Sequence, residues 1–353
     1  MMDISLDLHP RTFTMEVVNA RGEVVFEQRR ETSCQNLREA VSVVAGRKRV
    51  VLEESGLASW ACRVLRPCVD EVIVADPWHN HLIAKDENLD DQQAARKLAL
   101  LLRMGAIRPV HHTDSLERQL FKELVLMYHD TVRESTRCQN RLKAKFQQQG
   151  VRCPRRELYR REGRAHWREQ LPSAGARPLV DLLWEAFDQA QERRAQLARR
   201  LQRQARAFEP IRRFLAVPGI GWIRAATFCA IIDTPHRFAR RSKLWAYCGI
   251  GLARRQSGQT TGPVHLTERG NRQLKNVVKG AAVTAIQAGH NAFAAQYERL
   301  RREGMSVEKA RLTVARAIVS TLWAMWWNGT PYRPRGEDDP PPWPPASGRR
   351  SAA

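Results

Sequence analysis

The stretch Ile4-Ser5-Leu6-Asp7-Leu8-His9-Pro10-Arg11-Thr12-Phe13-Thr14-Met15-Glu16-Val17 decides how the first third of the chain folds. Ile4, Leu6 and Leu8 alternate with Ser5, Asp7 and His9, and Phe13, Met15 and Val17 alternate with Thr14 and Glu16, the period of two that marks half-buried strands. Asn19-Ala20-Arg21-Gly22 reads as a turn into Val24-Val25-Phe26, which completes an antiparallel meander of three strands. The pattern then changes to a helix (about 35–45), an apolar strand Arg49-Val50-Val51-Leu52-Glu53, a helix (about 57–67), a strand Val72-Ile73-Val74-Ala75 and a helix (about 89–104). Strands alternating with helices pair in parallel, so a three-layer α/β domain is expected.

Charge points to the partner. The 353 residues carry 59 Lys+Arg against 37 Asp+Glu, a net charge of +22. Residues 1–105 hold 14 basic and 16 acidic side chains while residues 106–353 hold 45 and 21, so the whole excess lies downstream. A field of this sign steers polyanions and gains from the counterions they release, without reading sequence. Nucleic acid is the expected partner and membrane is not. No apolar run approaches the ~20 residues of a spanning helix, and Met1-Met2-Asp3-Ile4 lacks a signal-peptide layout. Seven scattered cysteines (Cys34, Cys62, Cys68, Cys138, Cys153, Cys229, Cys248) with no Cys-x-x-Cys pair suit a reduced cytoplasm and no structural zinc. His79-Asn80-His81 and His111-His112 have no cysteine or carboxylate at metal spacing and read as surface groups.

Two long amphipathic helices are expected over 114–149 and 180–208. In the first, Asp114 and Glu117 make a capping box, and Leu120, Leu124, Met127, Thr131, Cys138 and Leu142 recur at coiled-coil spacing. In the second, Leu183, Phe187, Ala190, Leu197, Leu201 and Phe208 follow the same pattern, interrupted by Arg194 and Gln204. Arg193, Arg199, Arg200, Arg203 and Arg206 make its outer surface basic, which fits a solvated helix face and a nucleic-acid contact equally well. Between the helices, Cys153-Pro154-Arg155-Arg156 through Pro172-Ser173-Ala174-Gly175 reads as an irregular basic connector.

The last folded region runs from about 210 to 330 and is mainly helical. Val217-Pro218-Gly219-Ile220-Gly221 precedes a helix, and Gly219 and Gly221 would let backbone amides approach a phosphate as in helix-hairpin-helix modules; a tight turn between packed helices would use the same glycines. Arg254-Arg255-Gln256-Ser257-Gly258 sets a hydroxyl among arginines and glycine, where it could attack a phosphodiester or be an ordinary loop serine. Arg269-Gly270-Asn271-Arg272 with Lys275 adds another basic, glycine-bearing turn. The segments are therefore 1–112, 113–209, 210–330 and a Pro-rich tail at 331–353 that should be disordered.

Three antiparallel strands feeding α/β units is the order of the ribonuclease-H-like fold. Two-metal phosphodiester chemistry needs three or four carboxylates converging from different elements. Asp7, in the first strand on the face opposite Ile4, Leu6 and Leu8, and Glu53, closing the fourth, are placed for this; Asp86, Glu87, Asp90 and Asp91 crowd the start of the later helix. Each acid alone also reads as strand polarity or N-terminal helix charge.

The chain resembles the insertion-sequence transposases of the DEDD type, which pair a RuvC-like domain with a serine-bearing transposase domain across a coiled coil and are similar to the Piv-like DNA invertases. Leu6-Asp7-Leu8-His9-Pro10-Arg11-Thr12, Leu52-Glu53-Glu54-Ser55-Gly56, Asp91 through Gly105, Val217-Pro218-Gly219-Ile220-Gly221, Tyr247-Cys248-Gly249, Gln256-Ser257-Gly258 and Arg269-Gly270-Asn271 carry the resemblance, in register up to about residue 330. It implies that Asp7, Glu53 and Asp91 hold Mg²⁺ (or Mn²⁺) and that Ser257 forms a 5′-phosphoserine with DNA. Arg254, Arg255, Gly258, Arg269, Asn271, Arg272 and Lys275 would contact nucleic acid. It implies as partners donor and target DNA and a structured non-coding guide RNA that reads sequence by pairing, and as setting a prokaryotic cytoplasm, at the nucleoid. Recombination between duplexes needs several active sites, so a homodimer that pairs into a tetramer on DNA is expected.

One position departs from the family. Its fourth acid lies three residues after the third, and here that residue is Ala94. Three explanations stay open: Asp90 substitutes, three acids suffice, or this copy is inactive. A register using Glu87 and Asp90 keeps the spacing but shifts it against Leu98-Ala99. A junction-resolving metal nuclease and a degenerate, transposase-derived nucleic-acid-binding protein are the alternatives.

Overall fold

A computed structural model describes residues 1–77, 91–113, 115–154, 157–257 and 260–334, the side chains at 91–92, 255–257 and 260–261 excepted. It divides into two compact units, Met1–Leu116 and Glu117–Ala353.

The first unit is built on the alternating stretch. β1 (Met2–Leu8), β2 (Thr12–Val18) and β3 (Val24–Glu31) form the meander; α1 (Cys34–Ser42), β4 (Lys48–Glu53), α2 (Ala58–Leu65), β5 (Glu71–Ala75) and α3 (Asp91–Arg103) follow. The turn between β2 and β3 is closed by Asn19, whose Oδ1 accepts from the backbone N–H of Arg21 at 2.8 Å and Glu23 at 3.1 Å, with Gly22 at φ +88°. Ser33 caps α1 by accepting from Asn36 N–H at 3.1 Å. The strands order β3-β2-β1-β4-β5, with β1 antiparallel to β2 and parallel to β4.

Period two sorts the two faces of this sheet. Ile4, Leu6, Phe13, Met15, Val50 and Leu52 face α1 and α2 and are fully buried. The opposite face carries Asp3, Ser5, Thr14 and Glu16, which are also buried, because α3 lies over it and anchors Leu98 and Leu102 on Val51 and Ala75. A sheet buried on both faces but apolar on one leaves polar groups to be satisfied internally. Asp3 achieves this with the Arg49 guanidinium, at 2.7 and 2.9 Å.

The second unit is helical around one hairpin. It contains α4 (Leu116–Gln148), α5 (Arg164–Glu169), α6 (Ala176–Ala205), α7 (Glu209–Phe214), α8 (Trp222–Ile232), α9 (Arg241–Tyr247), β6 (Leu252–Ser257), β7 (Thr260–Leu266), α10 (Arg272–Ala288), α11 (Ala292–Arg302) and α12 (Val307–Asn328). The expected long helices are present. Their seam follows the expected spacing with one shift: Leu124, Thr131, Cys138 and Leu142 of α4 are buried, as are Phe187, Ala190 and Leu201 of α6, but near the start of α4 Phe121 and Tyr128 are buried in place of Leu120 and Met127, which are 53% and 54% exposed. The buried positions Phe121, Leu124, Tyr128, Thr131, Ser135, Cys138 and Leu142 still recur at three- and four-residue steps, and Val125 and His129 widen the stripe where α4 also meets α8 and α10.

The region between the long helices is more ordered than the irregular connector expected. Leu158 and Leu171 are buried with Phe146, Trp184 and Phe187 in a core of their own. Arg164 forks onto Asp188 at 2.6 and 2.8 Å, and Arg168 pairs with Asp181 at 2.9 Å. Asp114, Arg155, Arg156, His79-Asn80-His81 and the tail from 335 lie outside the described residues. Among the described residues no helix is long and apolar enough to cross a membrane.

Candidate functional site

Asp7 is the penultimate residue of β1, and Glu53 is the last residue of β4. The parallel register pairs Leu6 with Leu52, so the next residues, Asp7 and Glu53, come side by side at the carboxyl ends of adjacent strands. Both stand on the face that α3 covers. The carboxyl pKa of Glu53 is raised, first by burial and then by the negative charge of Asp7. Asp7 also meets His9, Nε2 to Oδ2 at 3.2 Å. Two crowded carboxylates of this kind suit a hard divalent cation, which relieves their repulsion with oxygen ligands. Among the described residues no three metal-ligating side chains converge.

Asp91 opens α3, but its side chain lies outside the described set, as do Asp86, Glu87 and Asp90 altogether. Ala94 packs against the apolar cluster of Val51, Ala75, Leu98 and Leu102. Where a fourth acid is expected, the chain thus makes an apolar contact with the sheet.

Two features of this unit escaped the sequence. Glu16 on β2 is 2% exposed, with Oε1 unpartnered by any hydrogen bond and Arg96 Nε 4.0 Å away, and burial pushes its pKa up to about 7. It pairs across the strand with Ser5, whose buried Oγ is also unpartnered. His112 is no free surface group: Nε2 bonds to Glu54 and Nδ1 lies 3.4 Å from Ser59 Oγ. The alternation marked Glu16 as polar, but only the packing of α3 made it buried.

Ser257 is the last residue of β6, paired with Thr260 across the hairpin turn; Gly258 lies outside the described residues, and the side chains of Arg255 and Ser257 are not described. Arg254 is exposed. The register shifts between Arg254 and Gln256, which sets one extra residue on the β7 side at Gly262-Pro263. The nearest histidine of the hairpin, His265, pairs with Ala253. That is four residues from Ser257, or ~13 Å along an extended strand.

The glycine motifs converge below the hairpin. A Cβ on Gly270 would lie 2.5 Å from Gly249 Cα, so two backbones touch where Tyr247-Cys248-Gly249 meets Arg269-Gly270-Asn271. Asn271 N–H donates to Tyr247 C=O at 2.7 Å, and its side chain caps α10 by accepting from Leu274 N–H at 3.0 Å. Arg269 and Arg272 are exposed, and Lys275 lies along Gly249. Gly219, at φ +83°, presses on α10: a Cβ there would sit 2.2 Å from Ala281 C=O. Packing alone requires this glycine. Gly221, the N-terminal cap of α8, faces open space.

Behind this junction His129 of α4 joins three helices. Gln273 Nε2 donates to His129 Nδ1 at 2.8 Å, His129 Nε2 meets Thr227 Oγ1 at 2.8 Å, and Thr227 donates to Ile223 C=O at 2.7 Å. Burial, aided by Arg133, holds the imidazole neutral with a pKa of about 4.

A five-stranded mixed sheet with neighbouring carboxylates at its strand ends, in one basic chain with a helical unit, is compatible with the ribonuclease-H-like DEDD transposases. Comparison with known proteins agrees. A profile described as "Transposase", for the DEDD type of IS110, matches residues 4–149, and one described as "Transposase IS116/IS110/IS902 family" matches 211–298. The chain belongs to the IS110-family transposases. It is 31% identical over 120 residues to the "Insertion element IS110 uncharacterized 43.6 kDa protein" of Streptomyces coelicolor, covering 34% of this chain and 29% of that one. A comparable IS116 protein of Streptomyces clavuligerus is 32% identical over 110 residues, 31% of this chain and 27% of its own length. The alignments therefore span less than a third of these two relatives. The "Transposase for insertion sequence element IS1111A" of Coxiella burnetii is 22% identical over 346 residues, 94% of this chain and 91% of that one.

Proposed function

We propose that this chain is an RNA-guided DNA transposase in which Ser257 attacks a phosphodiester with the help of a divalent cation. The observation that carries the reading is the Asp7–Glu53 pair at adjacent strand ends, with the Glu53 pKa raised by burial and by Asp7, in a chain of this family. Asp7, Glu53 and Asp91, with Asp90 as a fourth candidate, would hold Mg²⁺ or Mn²⁺, which supplies charge stabilisation at the phosphate when bound.

The Ser257 Oγ forms a bond to phosphorus as the P–O3′ bond breaks. This gives a 5′-phosphoserine and a 3′ oxygen that takes up a proton. The serine proton passes to a base outside the hairpin, because His265, paired with Ala253, is four residues away from Ser257 along the strand. Arg254 and Arg255 would offset the charge of the pentavalent phosphate, and Gly258, having no side chain, would let the DNA backbone come close. Arg269, Arg272 and Lys275 hold phosphates, with Asn271 fixing the start of α10 between them and Gly219 and Gly221 shaping the turn before α8. The guide RNA reads donor and target by pairing, so the protein needs mainly basic surfaces that recognise backbone and shape. Strand exchange between duplexes calls for more than one active site, hence a dimer that pairs into a tetramer on DNA.

The test is to incubate the protein with guide RNA, end-labelled DNA and Mg²⁺ and run a denaturing gel. A covalent protein–DNA adduct should form and vanish in Ser257→Ala; an adduct that persists in the variant refutes the assignment. Ala94 favours one further reading, a degenerate copy that binds without cutting, since an apolar contact stands where the fourth acid is expected. Adduct formation only after Ala94→Asp would establish that reading.

A further inference from the structure

The downstream excess of positive charge has a definite local peak on α6. From Arg193 to Arg206 the helix carries six arginines and no acid. Several arginines elsewhere in this unit are paired: Arg164 with Asp188, Arg168 with Asp181, Arg133 with Asp130, Arg299 with Glu303. In this run, among the described residues, Arg193 alone has such a partner, Glu134 at 3.0 Å. Arg199, Arg200 and Arg203 are exposed, and among the described residues no acid pairs with them.

Three of these charges form one row. Arg199, Arg203 and Arg206 recur at i, i+4 and i+7 and share a helix face. With Gln196 and Gln202 they line a shallow depression of about 460 Å³ on the side of α6 away from its buried Leu201 and Ala205. At the end of the row the Arg206 guanidinium lies over the Trp222 ring, 5.9 Å from its centroid. Trp222 is the first residue of α8, directly after Gly221. The row thus runs up to the glycine turn, where Gly221 has open space on its Cβ side.

Uncompensated like charges held on one rigid face repel one another, and a helix gains nothing from them in isolation. A polyanion with regular charge spacing removes that cost. The rise of an α-helix sets Arg199, Arg203 and Arg206 over ~10 Å, which matches about three phosphate-to-phosphate steps of one strand at ~3.4 Å of axis each. The guanidinium fork suits phosphate oxygens, and the two glutamines supply amides for sugar and phosphate contacts.

We propose that the Arg199–Arg203–Arg206 face of α6 is a binding track for the phosphodiester backbone of a nucleic-acid duplex, ending at the Gly221–Trp222 start of α8. This deepens the nucleic-acid reading above and does not depend on Ser257 chemistry. The spacing of the three arginines fits phosphates, so the track takes DNA or RNA through the backbone.

The test uses full-length Ser257→Ala protein in EDTA, so that cleavage plays no part, and measures the affinity for a 20-bp DNA duplex and a 20-bp RNA duplex by fluorescence anisotropy as a function of salt. Each arginine that neutralises a phosphate contributes ~0.9 to the slope of log K against log salt, so Arg199→Gln/Arg203→Gln/Arg206→Gln should lower the slope by about 3 and the affinity a few hundredfold at 0.1 M salt. The control is Arg30→Gln/Arg133→Gln/Arg299→Gln, which removes the same charge from ion-paired positions and should leave the slope unchanged. A loss with one duplex alone identifies the strand type that occupies the track; a loss with both assigns it to either. Equal loss in the two triple variants, or no change in the first, overturns the proposal. Should the triple variant lose helicity by circular dichroism, Arg203→Gln alone must still lower the slope by about 1. A failed adduct assay with intact track binding would refute the serine chemistry only, and the reverse outcome would refute the track only.

Discussion

Lowering the pH from 7 to 5 should move the stabilities of the two units in opposite directions. Glu16, in the first unit, has its pKa raised from 4.5 to about 7. The folded state then binds more protons than the unfolded state between those values. Its stability contribution is present below 4.5 and is lost as pH rises through about 7. His129, in the second unit, is lowered from 6.5 to about 4. Here the unfolded state binds more protons, so stability is full above 6.5 and falls as pH drops toward 4. Over the two pH units each shift is worth ~2 kcal/mol, positive for the first unit and negative for the second.

In melting temperature that is a rise of very roughly 8 °C for the smaller unit and a fall of about 5 °C for the larger. Differential scanning calorimetry of the full chain at pH 7, 6 and 5 measures both transitions, and the variants separate these groups from all others that titrate. Glu16→Gln removes the rise for the first transition, and His129→Gln removes most of the fall for the second. If Glu16→Gln leaves the pH dependence of the first transition as it was, the buried, unpartnered carboxylate does not govern it and the account of the polar sheet face is wrong.

Three further outcomes are expected. Gly219→Ala meets both a positive φ and the Ala281 carbonyl, and should cost ~2–4 kcal/mol in urea unfolding; a change under ~1 kcal/mol would mean that α10 yields there. Asn271→Ala deletes the cap of α10 and should cost ~1 kcal/mol, with Asn271→Asp restoring most of it. Asp7→Asn should lower the Glu53 pKa, read by carbon-detected NMR titration of the carboxyl groups, and abolish metal-dependent adduct formation while duplex affinity stays within about twofold; an unchanged Glu53 would show that the two carboxylates do not interact.

Much of this protein can be read from local pattern. The alternation of Ile4, Leu6 and Leu8 with Ser5 and Asp7 determines β1 and its apolar face, because a strand's side chains alternate whatever surrounds it. Asn19 and Gly22 determine the turn, and the 3.6-residue stripes determine α4 and α6 to within a few residues at each end. Charge counting placed the basic excess downstream without any fold. Tertiary structure alone decided the rest, since it depends on what packs against each face. It made Glu16 a buried acid by laying α3 across the polar side of the sheet, buried Phe121 and Tyr128 of α4 in place of Leu120 and Met127, and closed Leu158 and Leu171 into a core where sequence offered a loop. It set Asp7 beside Glu53 through a register that no window of sequence contains, and brought Gly249 onto Gly270 from motifs twenty residues apart. Short-range sterics are written in neighbouring residues, whereas burial and charge proximity are properties of pairs far apart in the chain.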